Sequence, residues 1–176
     1  MRRILLLDDE LNVLRALQRA LRQHMADAEL TIETFTDPEA ALLRFADVSF
    51  DIAISDFRMP GIDGIQFLST VKRIQPDTVR LLLSASNDFD TLVHAINQAE
   101  VFRYIAKPWQ VEELKKTLEL AFASRDQQME ALRLMQAPQA AEPPLSPQEL
   151  EARRLEAEEP GITQVNWEPD GSVRLD

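Results

Sequence analysis

Residues 50–61 read Phe50-Asp51-Ile52-Ala53-Ile54-Ser55-Asp56-Phe57-Arg58-Met59-Pro60-Gly61: an apolar run that ends on a carboxylate, with turn-forming residues close behind. Such a run reads as a buried strand, and Asp56 falls at its carboxyl tip. Two further runs end in the same way. Arg3 to Leu7 leads into Asp8, Asp9 and Glu10, and Val101 to Ala106 leads into Lys107-Pro108. In an open α/β sheet, ligands bind beyond the carboxyl ends of parallel strands, so three acids and one lysine can converge there.

The remaining order of elements supports that sheet. Strand-like runs at Arg3–Leu7, Leu30–Phe35, Phe50–Ser55, Thr78–Ser84 and Val101–Ala106 alternate with stretches of helical period. Leu14, Leu17 and Leu21 mark the first helix. Thr36-Asp37-Pro38 supplies a cap and a first-turn proline for the second, Gly64 opens the third, and Leu92, Val93 and Ile96 mark the fourth. Short links between alternating strands and helices predict a parallel sheet covered on both faces. The fifth helix starts near Gln110, carries Leu114, Leu118, Phe122, Met129 and Leu132, and outruns the domain. A heptad reading of it places Arg125 or Gln128 in the seam, a weak coiled-coil signal.

The expected domain boundaries are 1–125 for the main domain, 126–147 for the end of helix 5 and a proline/alanine linker, and 148–176 for an acidic tail. In the tail, residues 148–159 read as a short helix. Ile162–Trp167 and Ser172–Leu175 flank a Glu168-Pro169-Asp170-Gly171 turn and read as a hairpin. An isolated hairpin is marginal in water, so Val165, Trp167, Val173 and Leu175 need a surface to cover.

Composition narrows the function. The chain has 176 residues with 30 acids against 19 bases, a net charge of −11, and the surplus is concentrated after Arg125. That charge argues against direct contact with nucleic acid or with an anionic membrane. No cysteine is present, which excludes disulfides, thiolate catalysis and cysteine-held zinc. The apolar runs are shorter than the roughly 18 residues a membrane-spanning helix needs. A soluble, cytoplasmic protein is expected.

Asp8, Asp9 and Asp56 would crowd like charges at neighbouring strand ends, a cost that a hard divalent cation offsets. Capping of the first helix accounts for one acid but not for three. Lys107 can pair with the acids or with an anion bound among them, and a phosphoryl group suits the set best. Ser84, at the end of the fourth strand, offers a hydroxyl to the same anion, and small Ala85 lets the next loop approach.

Asp8-Asp9, Asp56 with Met59-Pro60-Gly61 and Gly64, Ser84-Ala85, Tyr104 and Lys107-Pro108 stand in one order and spacing. In these the chain resembles the receiver domain of two-component response regulators, from about Arg2 to Ser124. The resemblance implies a flavodoxin-like (βα)5 fold, a three-layer sandwich with parallel sheet order 2-1-3-4-5, here with an extended last helix and a small C-terminal appendage. It implies phosphoryl transfer to Asp56 from a sensor histidine kinase or phosphotransfer protein, with magnesium as cofactor and manganese as a substitute. Asp9, Asp56 and the Arg58 backbone carbonyl would hold the ion, and Asp8 would act mainly through water. Lys107 and Ser84 would contact the phosphoryl group, and Tyr104 would turn inward as Ser84 draws its loop in. The peptide before Pro108 is expected to be cis.

The resemblance places Arg58 and Ser86 where the family varies and where access of water to the acyl phosphate is tuned; a solvated arginine is the alternative for Arg58. His24 and His94 read as surface residues, and Trp109 and Trp167 as packing residues. The expected output is a protein contact with an unidentified downstream partner, including dimers through helix 4, strand 5 and helix 5 or through the extended helix 5. This reading makes the chain a regulator that assists its own phosphorylation and dephosphorylation rather than a turnover enzyme. Two alternatives are an aspartate-nucleophile phosphohydrolase, which would need a second Asp where Arg58 stands, and a scaffold that binds without phosphorylation.

Overall fold

The computed structural model of the protein describes residues 1–85, 89–137 and 147–158. Its elements are β1 (Arg2–Leu7), α1 (Leu11–His24), β2 (Leu30–Phe35), α2 (Pro38–Asp47), β3 (Ile52–Asp56), α3 (Gly64–Ile74), β4 (Val79–Ser84), α4 (Phe89–Ala99), β5 (Arg103–Ala106), α5 (Val111–Gln136) and α6 (Pro147–Glu158). The strands form one five-stranded sheet in the order β2-β1-β3-β4-β5, with every pairing parallel. The alternating pattern predicts the parallel sheet, and the strand order is the flavodoxin-like one that the resemblance implies.

Side chains alternate across the sheet and build a core on each face. Ile4, Leu6, Ile52, Ile54, Leu81 and Leu83 meet Leu14, Leu17 and Leu21 of α1 and Leu114, Leu118 and Phe122 of α5. Leu5, Leu7, Ala53 and Leu82 meet Phe45 of α2, Phe67, Leu68 and Val71 of α3, and Ala95 and Ala99 of α4. Covered on both sides, β3 and β4 are buried at every position.

Two strands begin later than their apolar runs. Phe50 and Val101 are buried without being strand residues. The backbone N–H of Phe50 goes to Gln75 Oε1 at 3.0 Å, so a side chain occupies what a ladder would use. Hydrophobicity shows burial, whereas ladder membership depends on where the backbone bonds go.

The helix starts follow local chemistry. Asp37 accepts bonds from the N–H groups of Glu39 and Ala40 before Pro38 opens α2. Asp63 and Gln66 form a reciprocal capping box at α3.

The chain divides into two compact units, Met1–Met135 and Gln136–Asp176. Within the first, α5 continues without a break past its last buried residue, Phe122. Arg125, placed in a seam by the heptad reading, turns to its own sheet: its Nε lies 2.7 Å from Asp51 Oδ1, and it donates to the Asp77 carbonyl at 2.8 Å. The second Asp51 oxygen accepts the Arg3 backbone N–H at 2.7 Å. In the second unit, α6 is within a residue of its expected span. The expected linker begins and ends on helix residues, Gln136 of α5 and Pro147 of α6, and its residues 138–146, the hairpin with Trp167, and Ser86 lie outside the described residues. No helix among the described residues is long and apolar enough to cross a membrane.

Candidate functional site

The carboxyl ends of β1, β3, β4 and β5 bring the expected residues together. Asp56 closes β3 and is 6% exposed, Asp8 follows β1 and is 1% exposed, and Asp9 is open to solvent. One oxygen from each of the three carboxylates lies within 4.8 Å of the others. The Lys107 ammonium bridges the two buried acids, 2.7 Å from Asp8 Oδ2 and 2.8 Å from Asp56 Oδ1. The other Asp8 oxygen accepts the Glu10 N–H at 2.8 Å, which fixes the turn before α1 without capping the helix, whose N-cap residue Glu10 has no side-chain cap bond. Of the two roles the sequence allowed Asp8, the structure shows cluster membership and not helix capping.

Backbone bonds fix these groups relative to one another. Lys107 N–H donates to the Ser84 carbonyl at 2.9 Å, tying the lysine to the end of β4. Phe57 N–H donates to the Leu83 carbonyl and Gly64 N–H to the Phe57 carbonyl, each at 2.8 Å, so the loop after Asp56 folds back onto its strand. The Lys107–Pro108 peptide is cis, as expected.

Gly64 is where this packing is tightest. A Cβ there would collide with the Asp56 carbonyl oxygen and press on Leu82. The strand end must move if any side chain is added, so Gly64→Ala is expected to displace Asp56 as well as to destabilise. We expect a loss of about 1–3 kcal/mol, as for overpacked cores, seen as a lower denaturation midpoint together with slower phosphoryl uptake than that stability loss explains.

A cleft of about 330 Å³ opens over the cluster, lined by Glu10, Asp56, Arg58, Ser84 and Lys107 among others. Ser84 is buried at the cleft wall, while Arg58 and Glu10 are exposed at its rim. Tyr104 is 40% exposed and faces outward on β5. His24 and His94 are exposed, and His24 lines a separate cleft of about 380 Å³ between the end of α1 and α5, away from the acids. Trp109 packs against the α1–α5 side of the core.

The electrostatics match this crowding. Burial raises the Asp56 carboxyl above its ordinary value; the Lys107 hydrogen bond pulls it back, and the charges of Asp8 and Asp9 push it up again. For Lys107, burial works against the charge, but the hydrogen bonds it donates to Asp56 and Asp8 prevail and raise it. Three acids against one lysine leave the cluster anionic, and hard carboxylate oxygens suit a magnesium-sized divalent cation. The donor set therefore fits that ion.

Some contributors escape a reading by motif alone. The Asp63-x-x-Gln66 spacing does carry a capping-box signature in sequence. The clearance at Gly64 and the placement of Glu10 on the cleft rim have no local signal.

Residues 4–119 match the response regulator receiver domain. The hydrogenase transcriptional regulatory protein HoxA of Bradyrhizobium diazoefficiens is 35% identical over 119 residues, 67% of this chain but 23% of that protein. The chain thus matches about a quarter of the length of that relative. The signal receiver domain of an HD domain-containing protein from Pseudomonas fluorescens Pf-5 is 30% identical, with a TM-score of 0.66 over 73% of this chain and 92% of that one. The beryllofluoride-activated NtrC4 receiver domain dimer is 26% identical, with a TM-score of 0.64 over 71% of this chain and 99% of that one.

Proposed function

The chain belongs to the response regulator receiver domain family, which serves phosphorylation-based two-component signalling, and from that premise we propose that Asp56 is its phosphoacceptor. The observation that carries this reading is the Lys107 bridge to Asp56 and Asp8 at the floor of an open cleft. An Asp56 oxygen attacks the phosphorus of a kinase phosphohistidine in line. The new O–P bond forms as the P–N bond breaks, and the electron pair leaves with the imidazole. Lys107 then shifts a hydrogen bond from the Asp56 oxygen to a phosphoryl oxygen, and Ser84 donates to another. Positioning and charge neutralisation carry the catalysis, as in other phosphoryl transfers.

Magnesium bound by Asp9, Asp56 and the Arg58 carbonyl, with Asp8 acting through water, would supply charge neutralisation at the transferred oxygens. Manganese, similar in its preference for oxygen ligands, would substitute. Arg58, at the rim, is placed to reach the phosphoryl group or to obstruct water. Val93, Ile96 and Tyr104 are exposed on α4 and β5 and form an apolar surface for a downstream protein or a second copy. The signal passes by protein contact. The chain works inside the cell, where kinase and partner meet it.

Incubation with acetyl phosphate and magnesium, read by intact mass, tests this reading. A persistent gain of one phosphoryl group supports it. Steady release of phosphate from simple esters would instead favour a hydrolase, and neither change would favour a scaffold.

A further inference from the structure

Ser55 carries the one hydroxyl in β3, and it is fully buried. Side chains alternate along a strand, so Ser55 takes the same side of the sheet as Ala53, which packs among apolar residues of α2, α3 and α4. Alanine suffices at position 53. A hydroxyl buried on that side needs a partner, and the Ser55 Oγ donates to the Asp56 carbonyl oxygen at 2.9 Å.

That carbonyl belongs to the peptide unit that joins Asp56 to Phe57. The unit is held at its other end too, because Phe57 N–H donates to the Leu83 carbonyl at 2.8 Å. Gly64 closes over the same oxygen, so tightly that a Cβ there would collide with it. The next peptide unit is tied in turn, its Phe57 carbonyl accepting the Gly64 N–H at 2.8 Å. Bonds beneath the cleft therefore orient both peptide planes between Asp56 and Arg58. Of these bonds, only the one from Ser55 comes from a side chain.

We propose that Ser55 is a positioning residue for the divalent cation: by locking the Asp56–Phe57 plane, its hydroxyl sets the spacing between the Asp56 carboxylate and the Arg58 carbonyl. The step from plane to cation rests on the ligand set given above. Ser55 is enclosed and lines no part of the cleft, so it touches neither ion nor phosphoryl group and acts through the backbone alone. Rotation of the first plane swings the Arg58 carbonyl relative to the carboxylate. Magnesium is sensitive to such a swing, because it demands near-octahedral oxygen ligands at short range, whereas calcium accepts longer and less regular ones. The hydroxyl thus favours magnesium over calcium.

Calorimetric titration of the full chain with magnesium and, separately, with calcium tests this without any phosphodonor. Ser55→Ala should weaken magnesium about fivefold, the net worth of one hydrogen bond. Calcium should weaken by less than about twofold, given its tolerance of ligand spacing. In metal-free protein, residue-resolved amide exchange should show Phe57 N–H about fivefold faster in the variant, a local opening. Asp51 N–H, bonded to the Arg3 carbonyl at 2.9 Å just before β3, should exchange as in the wild type. A general loss of stability would instead speed both amides and weaken both cations alike. Ser55→Cys, near in size and a weaker donor, should shift the same quantities in the same directions and serves if the alanine variant does not fold. Unchanged magnesium affinity, equal losses for the two cations, or Phe57 exchange no faster than in the wild type would overturn the proposal. If the wild type binds no magnesium, the ligand set fails instead, while the metal-free exchange still decides whether Ser55 locks the plane.

Discussion

Asp56→Asn will abolish phosphoryl uptake from acetyl phosphate and magnesium, and it will leave the protein folded and slightly more stable. The amide keeps the shape of the carboxylate but removes the attacking oxygen's charge, and Lys107 retains its 2.7 Å bond to Asp8. Stability rises because burial and the neighbouring acids disfavour the charged form of Asp56. The native protein therefore holds the Asp56 proton to higher pH than the unfolded chain does. The stabilisation tied to that proton is complete below the ordinary carboxylate value and is lost as pH rises through the raised native value. The advantage of the asparagine variant should grow across that window and level off above it. In chelator at neutral pH, we expect a Tm higher by about 3 °C, the response of a domain this size to roughly 1 kcal/mol. Thermal unfolding of both proteins across acidic to neutral pH checks the sign, and intact mass checks the loss of uptake.

Lys107→Met should be severe in two ways. It removes the cation that bridges Asp8 and Asp56, leaving two buried carboxylates in mutual repulsion. Breaking one partner out of a buried ion pair costs about 3 kcal/mol, which a denaturation curve would register as a clear drop in midpoint. Magnesium should recover part of that loss, because a divalent cation answers the same repulsion. Phosphoryl transfer should fall by about 10²–10³-fold, the usual penalty for losing one preorganised donor to a developing charge. Lys107→Arg should restore stability more than rate, since a planar fork does not reproduce a point charge on a flexible stem. Single-turnover phosphorylation and equilibrium unfolding of the two variants separate charge from position.

The parallel α/β class was legible because β3 and β4 are covered on both faces and are mainly apolar, while α1 and α3 carry their leucines and valines at helical spacing; the strand order came with the receiver resemblance. The acid cluster was legible because each donor sits at or within two residues of a strand's carboxyl end, where sequence order alone places it at one edge of the sheet. Less was readable where two distant segments meet side chain to side chain. Arg125 finds Asp51 across 74 positions, and no heptad pattern reports that pairing. Arg80, buried in a leucine strand, donates to the carbonyls of Ala99 and Thr78, and carbonyls carry no sequence signature. Gly64 was seen as a helix start, yet its missing Cβ also clears the Asp56 carbonyl, a three-dimensional demand set by the approach of α3 to β3. Phe50 and Val101 misled the strand starts because burial, not pairing, selected their side chains.

The claim that Asp56 accepts the phosphoryl group is tested most directly by chemical trapping. An aspartyl phosphate is an acyl phosphate, and borohydride reduces it to homoserine, a permanent mark at the acceptor. After phosphorylation, reduction and proteolysis, peptide sequencing should find homoserine at position 56 and at no other acid. Homoserine at position 8, 9 or 51, or none after a confirmed mass gain, would contradict the account.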